Sequence, residues 1–150
     1  MNNRQFGILA AGVCGGMLAG CSDPVVGEWA ASEFEPTGDV GDAEYGVSGS
    51  LTIDKDFGLT GSLTLEVDSE EYDLHAVSTH SLAGEMMPET EKGDYEGTVA
   101  TTLTAAEING EDEFDEAYAE PYEDTWACLL EKETLTCQNG LDQVYTFTKK

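Results

Sequence analysis

The chain has 150 residues and carries 31 acidic side chains against six basic ones, for a formal charge of −25. A surface this acidic repels nucleic acid and anionic lipid alike, which excludes nucleic acid as a partner, and it repels itself, so salt screening favours the folded state. The length suffices for one domain with a real core; a heavily solvated surface, a saline habitat and divalent-cation binding are the three readings of the charge.

The chain opens with "MNNRQ", whose Arg4 is the only arginine, and continues with "FGILAAGVCGGMLAG". A short cationic start, an apolar run and small residues form the layout of an export signal. The run is too short and glycine-rich for a transmembrane helix, which needs about 20 apolar residues. An ordinary signal cut after Ala-x-Ala and a weak membrane anchor are the alternatives. Leu18-Ala19-Gly20-Cys21 resembles the lipobox of bacterial lipoproteins at all four positions. That resemblance implies a signal peptide over 1–20, acylation (palmitate or a related chain) of Cys21, and cleavage just before it. Residues 21–25 then form a lipidated tether ahead of a domain at 26–150. Several acyl chains on one residue anchor stably where one does not. Ser22 follows the cysteine in place of the aspartate of inner-membrane lipoproteins, so the resemblance points to the cell envelope, at the outer membrane.

Beyond the signal, period-two alternation dominates. "VVGEWAASEF" is the first strand. "VSGSLTID" places Val47, Gly49, Leu51 and Ile53 on one face, and "LTGSLTLEV" does the same with Leu59, Gly61, Leu63, Leu65 and Val67. The loop "DKDFG" joins them, and centring it on Asp56 sets Leu51 against Gly61, Gly49 against Leu63 and Ile53 against Leu59. Each glycine then faces a large residue, which suits a tightly curved wall. "EEYDLHAVSTHS" alternates from Tyr72 through Leu74 and Ala76. "LAGEMMPETEKG", residues 82–93, reads as a loop in which Met86 and Met87 plug a gap. "DYEGTVATTLT" points Tyr95, Gly97, Val99 and Leu103 one way. "EINGEDEFDEAYAEPYED", residues 107–124, reads as a solvated lid or side helix, with Phe114, Tyr118 and Tyr122 spaced by four and Pro121 ending it.

"TWACLLEKETLTCQ" reads as a hairpin turning on Lys132 and Glu133, which sets Cys128 directly opposite Cys137. In a two-residue hairpin this is a non-hydrogen-bonded pair with Cα atoms about 4.5 Å apart, at the short end of what a disulfide accepts. With Cys14 cut away and Cys21 acylated, these two remain, and export exposes them to oxidising conditions. A disulfide between Cys128 and Cys137 is expected; free core thiols or a metal pair are the alternatives. "QVYTFTKK" closes the chain with Tyr145 and Phe147 on one face. About eight short strands with turns between them indicate an all-β fold, an antiparallel meander closing as an up-and-down barrel or, alternatively, a β-sandwich.

Gly27-x-Trp29, ahead of such a meander, resembles the lipocalin start. There the tryptophan lies at the closed end of an eight-stranded barrel, so the resemblance implies a barrel-closing role for Gly27 and Trp29. A bulky indole can plug a narrow end while glycine lets the chain pass closely. Lipocalins usually pack an arginine of the last strand across the tryptophan; here Lys149 or Lys150 stands at that strand's end and offers a weaker cation–π contact.

Signals for catalysis are thin. His75 and His80 lie five apart, on opposite faces of one strand, and no serine sits in a nucleophile-elbow context. No catalytic residue and no cofactor is expected, and the chain reads as a non-enzyme. Calcium is the best inorganic candidate, with Asp54 and Asp56 of "DKDFG" and the acids of "GEDEFDE" as oxygen ligands. An eight-stranded barrel either holds one small ligand or is filled by side chains. In both cases Leu51, Leu63, Leu65, Val99, Tyr145 and Phe147 face inward, and in the first they contact a small apolar or amphipathic molecule. The expectation is a monomeric, lipid-anchored envelope protein of this kind. The rival is an acidic surface module that meets cations or a basic partner.

Overall fold

The computed structural model describes residues 23–38, 41–89 and 93–150; Cys21 and the whole signal lie outside them. The strands are β1 (Gly27–Glu35), β2 (Glu44–Ile53), β3 (Gly58–Ser69), β4 (Leu74–Glu85), β5 (Met87–Pro88), β6 (Asp94–Ile108), β7 (Glu111–Asp112), β8 (Tyr122–Glu131), β9 (Thr134–Gln138) and β10 (Val144–Lys149). β1 pairs with β2, β2 with β3, β3 with β4, β4 with β6, β6 with β8, β8 with β9, β9 with β10, and β10 with β1, all antiparallel. The ring of eight closes on itself as an up-and-down barrel, leaving no open sheet edge. β5 and β7 are two-residue ribbons added to β6. Among the described residues no helix is long and apolar enough to cross a membrane.

Alternation dictates the wall. The β2–β3 hairpin pairs Leu51 with Gly61, Gly49 with Leu63 and Ile53 with Leu59, the register that the glycine–aliphatic pattern predicts. A Cβ on Gly61 would stand 2.5 Å from the Ser50 carbonyl oxygen and 2.7 Å from the Leu51 Cα. Backbone therefore approaches backbone there, where only glycine fits. The β8–β9 hairpin turns on Lys132, at φ 57°, and Glu133, and sets Cys128 against Cys137. Their Sγ atoms are bonded, with Cα atoms 4.0 Å apart.

The structure departs from the sequence reading in several places. Residues 82–85, expected in a loop, complete β4, with Leu82 buried and paired to Gly61. Of the two methionines Met86 is fully buried and fills the gap, whereas Met87 is 45% exposed. The 107–124 segment is not a side helix. β6 runs on to Ile108, Asn109 and Gly110 turn with positive φ into β7, and a single 3-10 turn, Glu116–Tyr118, precedes β8. Tyr72, expected to lead β4, stands in the preceding turn and is 75% exposed.

The core lies inside the barrel and is concentrated toward one end. Trp29, Ile53, Leu59, Met86, Val99, Leu135 and Phe147 are fully or almost fully buried there, and the disulfide joins them. Residues 23–25, expected within a tether, instead pack across this end: Val25 is fully buried, its carbonyl accepts from the Trp29 Nε1 at 2.8 Å, and the Tyr95 hydroxyl donates to Asp23. Burying each large apolar side chain contributes roughly 1.5–3 kcal/mol, so the plug is a structural part of the barrel.

Candidate functional site

Gly27 and Trp29 sit at the closed end, with Lys149 across them. The Lys149 Nζ lies 4.8 Å from the Trp29 ring centroid and donates to the carbonyls of Pro24 at 2.9 Å and Val26 at 2.6 Å. Lys150 turns elsewhere, 3.8 Å from Glu28. Lys149 thus ties the last strand to the plug.

At the opposite end the barrel is not filled. A cavity of about 200 Å³ opens there, lined by aliphatic Leu63, Leu65, Leu82 and Leu141, aromatic Tyr122, Trp126 and Tyr145, and polar His80, Thr101, Asp124, Asn139 and Gln143. Strand geometry places these groups: β3 and β4 supply one wall, β8 and β10 the other, and the β9–β10 turn forms part of the rim. Trp126 stacks on Tyr145 with centroids 5.2 Å apart and an interplanar angle of 9°, and Tyr145 meets Phe34 at 4.9 Å. Burial pushes the Tyr145 phenol up, and the Asp124 carboxylate adds to the effect.

The rim is held in shape by its own polar groups. The Asn139 Oδ1 accepts from the backbone N–H of Leu141 at 2.9 Å and of Gln143 at 3.0 Å, and the Gly140 N–H donates to Asp124 Oδ2 at 2.9 Å. Thr37, from the β1–β2 connection, donates to the Leu141 carbonyl. Nearby, Asp42 accepts from the Glu71 N–H at 2.9 Å and the Ser69 hydroxyl at 2.7 Å, bonds that hold its carboxyl below the usual range.

The two histidines point to opposite sides, as their odd spacing predicts. His75 faces outward, its Nδ1 2.6 Å from Asp68 Oδ1, and that bond raises its pKa. His80 faces inward with Nε2 2.9 Å from the Ser78 hydroxyl, and burial lowers its pKa.

Of the six residues expected at a ligand, Leu63, Leu65 and Tyr145 line the cavity. Leu51, Val99 and Phe147 also face inward, but they belong to the packed half and do not reach the cavity. The reason is axial position, since inward alternation does not say how far along the barrel a residue stands. Sequence reasoning missed His80, Tyr122, Asp124, Asn139 and Gln143. The odd His75–His80 offset was the available signal for His80. The "NG" turn at 139–140 was the signal for the rim.

Asp54 and Asp56, the calcium candidates, lie in the β2–β3 turn at the closed end. Asp54 Oδ1 accepts from the Asp56 N–H at 2.8 Å and the Gly58 N–H at 2.9 Å, so this carboxylate shapes the turn. Asp112 and Asp115 cap backbone N–H groups of Phe114 and Ala117 in the same way. Among the described residues no three His, Cys, Asp or Glu side chains cluster to hold a metal.

A larger concavity, about 660 Å³, runs along the outside of the wall over Ala127, Leu129, Thr136 and Gln138. It is a broad groove on the outward face of β8 and β9 and encloses nothing, so the mouth is the better site on geometric grounds. Comparison with protein-family models, with curated proteins and with solved structures gives no match.

Proposed function

We propose that this chain is a lipid-anchored protein of the cell envelope, at the outer membrane, whose barrel mouth binds a small apolar or amphipathic molecule, and that it is not an enzyme. One observation carries the binding reading: beyond the packed Trp29 end the barrel holds a cavity of about 200 Å³, where apolar walls meet a few convergent polar groups. The lipobox supports the anchor. Cys21 stands two residues before Asp23, the first described residue, which packs at the closed end. An anchor there holds the closed end against the membrane and turns the mouth away from it.

Native mass spectrometry of the exported, purified protein, followed by titration with single-ring compounds, tests the binding. The expected result is a stoichiometric organic adduct or a saturable complex that Leu65→Trp, by filling the cavity, abolishes. A protein that takes no member of the panel, or takes it equally well after the filling substitution, overturns the reading. The N-terminal peptide in the same instrument tests the anchor: a diacylglyceryl group on Cys21 is expected, and an unmodified thiol refutes it.

The second reading, an acidic module meeting cations or a basic partner, has its own support. Among the described residues only two ion pairs form, Asp68 with His75 and Glu28 with Lys150. A melting temperature flat from low to high NaCl would remove the charge argument.

A further inference from the structure

We infer that the mouth takes a small protonated amine whose apolar end is a single aromatic ring or a short alkyl chain, an inference that rests on the mouth-binding reading. Size sets the first limit. An apolar cavity of about 150 Å³ holds one benzene, and this one measures about 200 Å³. A single ring with a short polar tail fits, and a long acyl chain does not.

Charge sets the second. Among the described residues no lysine or arginine lines the cavity, so an anionic ligand such as a carboxylate finds no counter-ion there. His80 cannot supply one at neutral pH, because its burial favours the neutral ring. Asp124 is the one acidic side chain among the described residues of the lining. Its two backbone bonds, from Thr125 at 2.8 Å and Gly140 at 2.9 Å, leave acceptor positions free on a carboxylate with about four. The aromatic lining is itself a cation receptor, since ring faces attract an ammonium. Trp126 and Tyr145 cover a face of each other by stacking, so Tyr122, 53% exposed at the rim, is the least covered of the three rings.

The third argument is the distribution of charge along the barrel axis. All four described lysines stand at the closed end: Lys55 in the β2–β3 turn, Lys132 in the β8–β9 turn, and Lys149 and Lys150 at the end of β10. The segments of the mouth end, the β3–β4 turn with Glu70, Glu71 and Asp73 and the 109–121 connection, carry acids and no lysine. A cleft ringed by one sign focuses the field and concentrates counter-charged ligands. The hydrophobic walls then select a cation with an apolar body.

The test uses three isosteric probes on the purified protein at pH 7: phenethylamine, 2-phenylethanol and phenylacetate, titrated calorimetrically and by tryptophan fluorescence. The amine is expected to bind about tenfold or more tighter than the alcohol, the carboxylate weakest of all, and the amine's advantage is expected to shrink as NaCl rises. Asp124→Asn is expected to bring the amine down to the level of the alcohol. Because Asp124 also holds the rim turn, Tyr122→Leu, at an exposed position, is the second variant and is expected to weaken the amine more than the alcohol. An alcohol that binds as tightly as the amine, or a carboxylate that binds tightest, overturns the amine inference and leaves mouth binding standing. If none of the three binds, the mouth-binding reading falls and the inference falls with it.

Discussion

Replacing Lys149 by methionine removes a charge while keeping an unbranched side chain of similar length, which isolates what the ammonium does at the closed end. The Nζ donates to Val26 O at 2.6 Å in a partly buried position and to Pro24 O at 2.9 Å in an exposed one, and it lies 4.8 Å from the Trp29 centroid. A net value of about 1.5 kcal/mol suits the first bond, the low end for a charged donor, and about 0.5 kcal/mol the exposed one. The cation–π contact adds about 0.5 kcal/mol. Together these give a loss of about 2.5 kcal/mol, and near 2.1 cal/mol/K of unfolding entropy per residue this lowers the melting temperature by about 9 °C. Thermal and urea unfolding followed by circular dichroism measure it. Lys149→Arg should retain most of the stability, and a cycle with Trp29→Phe should show a coupling of about 0.5 kcal/mol. Gly27→Ala attacks the same contact from the other side. Gly27 has φ 139°, and a Cβ there would stand 2.9 Å from the Lys149 Cε and Nζ, so this variant should also destabilise. A Lys149→Met protein within about 0.5 kcal/mol of the parent would show that the lysine covers the plug without holding it.

Removing the disulfide with the double variant Cys128→Ser, Cys137→Ser opens a short loop, since the cysteines are nine residues apart; loop-closure entropy then predicts a loss of about 2.6 kcal/mol, and a urea midpoint equal to that of the oxidised parent would contradict it. Gly61→Ala forces a Cβ to within 2.5 Å of the Ser50 carbonyl oxygen and should cost more than about 3 kcal/mol, a figure that an unaltered melting curve would refute. The two histidines should titrate on opposite sides of the ordinary value near 6.5 in NMR spectra, His75 above it through its bond to Asp68 and His80 below it through burial. The signs follow: His75 contributes stability that is full below about pH 6.5 and is lost as pH rises through its raised folded pKa. His80, more readily protonated in the unfolded chain, withdraws stability as pH falls from about 6.5 toward its lowered folded pKa, so His80→Gln should flatten that acid limb and His75→Gln should not.

The parts of the fold that the sequence made legible are those in which side-chain size fixes register. In the β2–β3 hairpin the glycines at 49 and 61 must each face a large residue, and a one-residue slip would turn Leu51, Ile53 and Leu63 to solvent. The two-residue turn at Lys132 and Glu133 left the cysteines no other partner. The 107–124 segment was misread because Phe114, Tyr118 and Tyr122 match a helical spacing by coincidence. The local signal that decides the backbone is Asn109-Gly110, whose positive φ at both positions makes the two-residue hairpin into β7. The cavity was the least legible feature. Period-two patterning sorts residues into inward and outward sets, but Leu51 and Leu65 carry the same inward sign and end on opposite sides of the boundary between packed core and hollow mouth.

That boundary follows from where the large side chains fall along the axis. Trp29, Phe147, Met86 and the Val25 plug stand at one end, and their bulk leaves no room for a ligand there. Toward the mouth Thr101, His80, Asp124 and Gln143 join the leucines and aromatic rings at the cavity, and such polar groups do not tolerate a dry, closed core without partners. A sequence selected only for a filled barrel would place leucine or phenylalanine at such positions, since buried polar groups destabilise unless they are satisfied. The described lysines follow the same axis in the opposite sense: they gather at the closed end and leave the mouth end to the carboxylates. Polarity and charge thus change together along one direction, and a uniformly solvated acidic surface would require neither to do so.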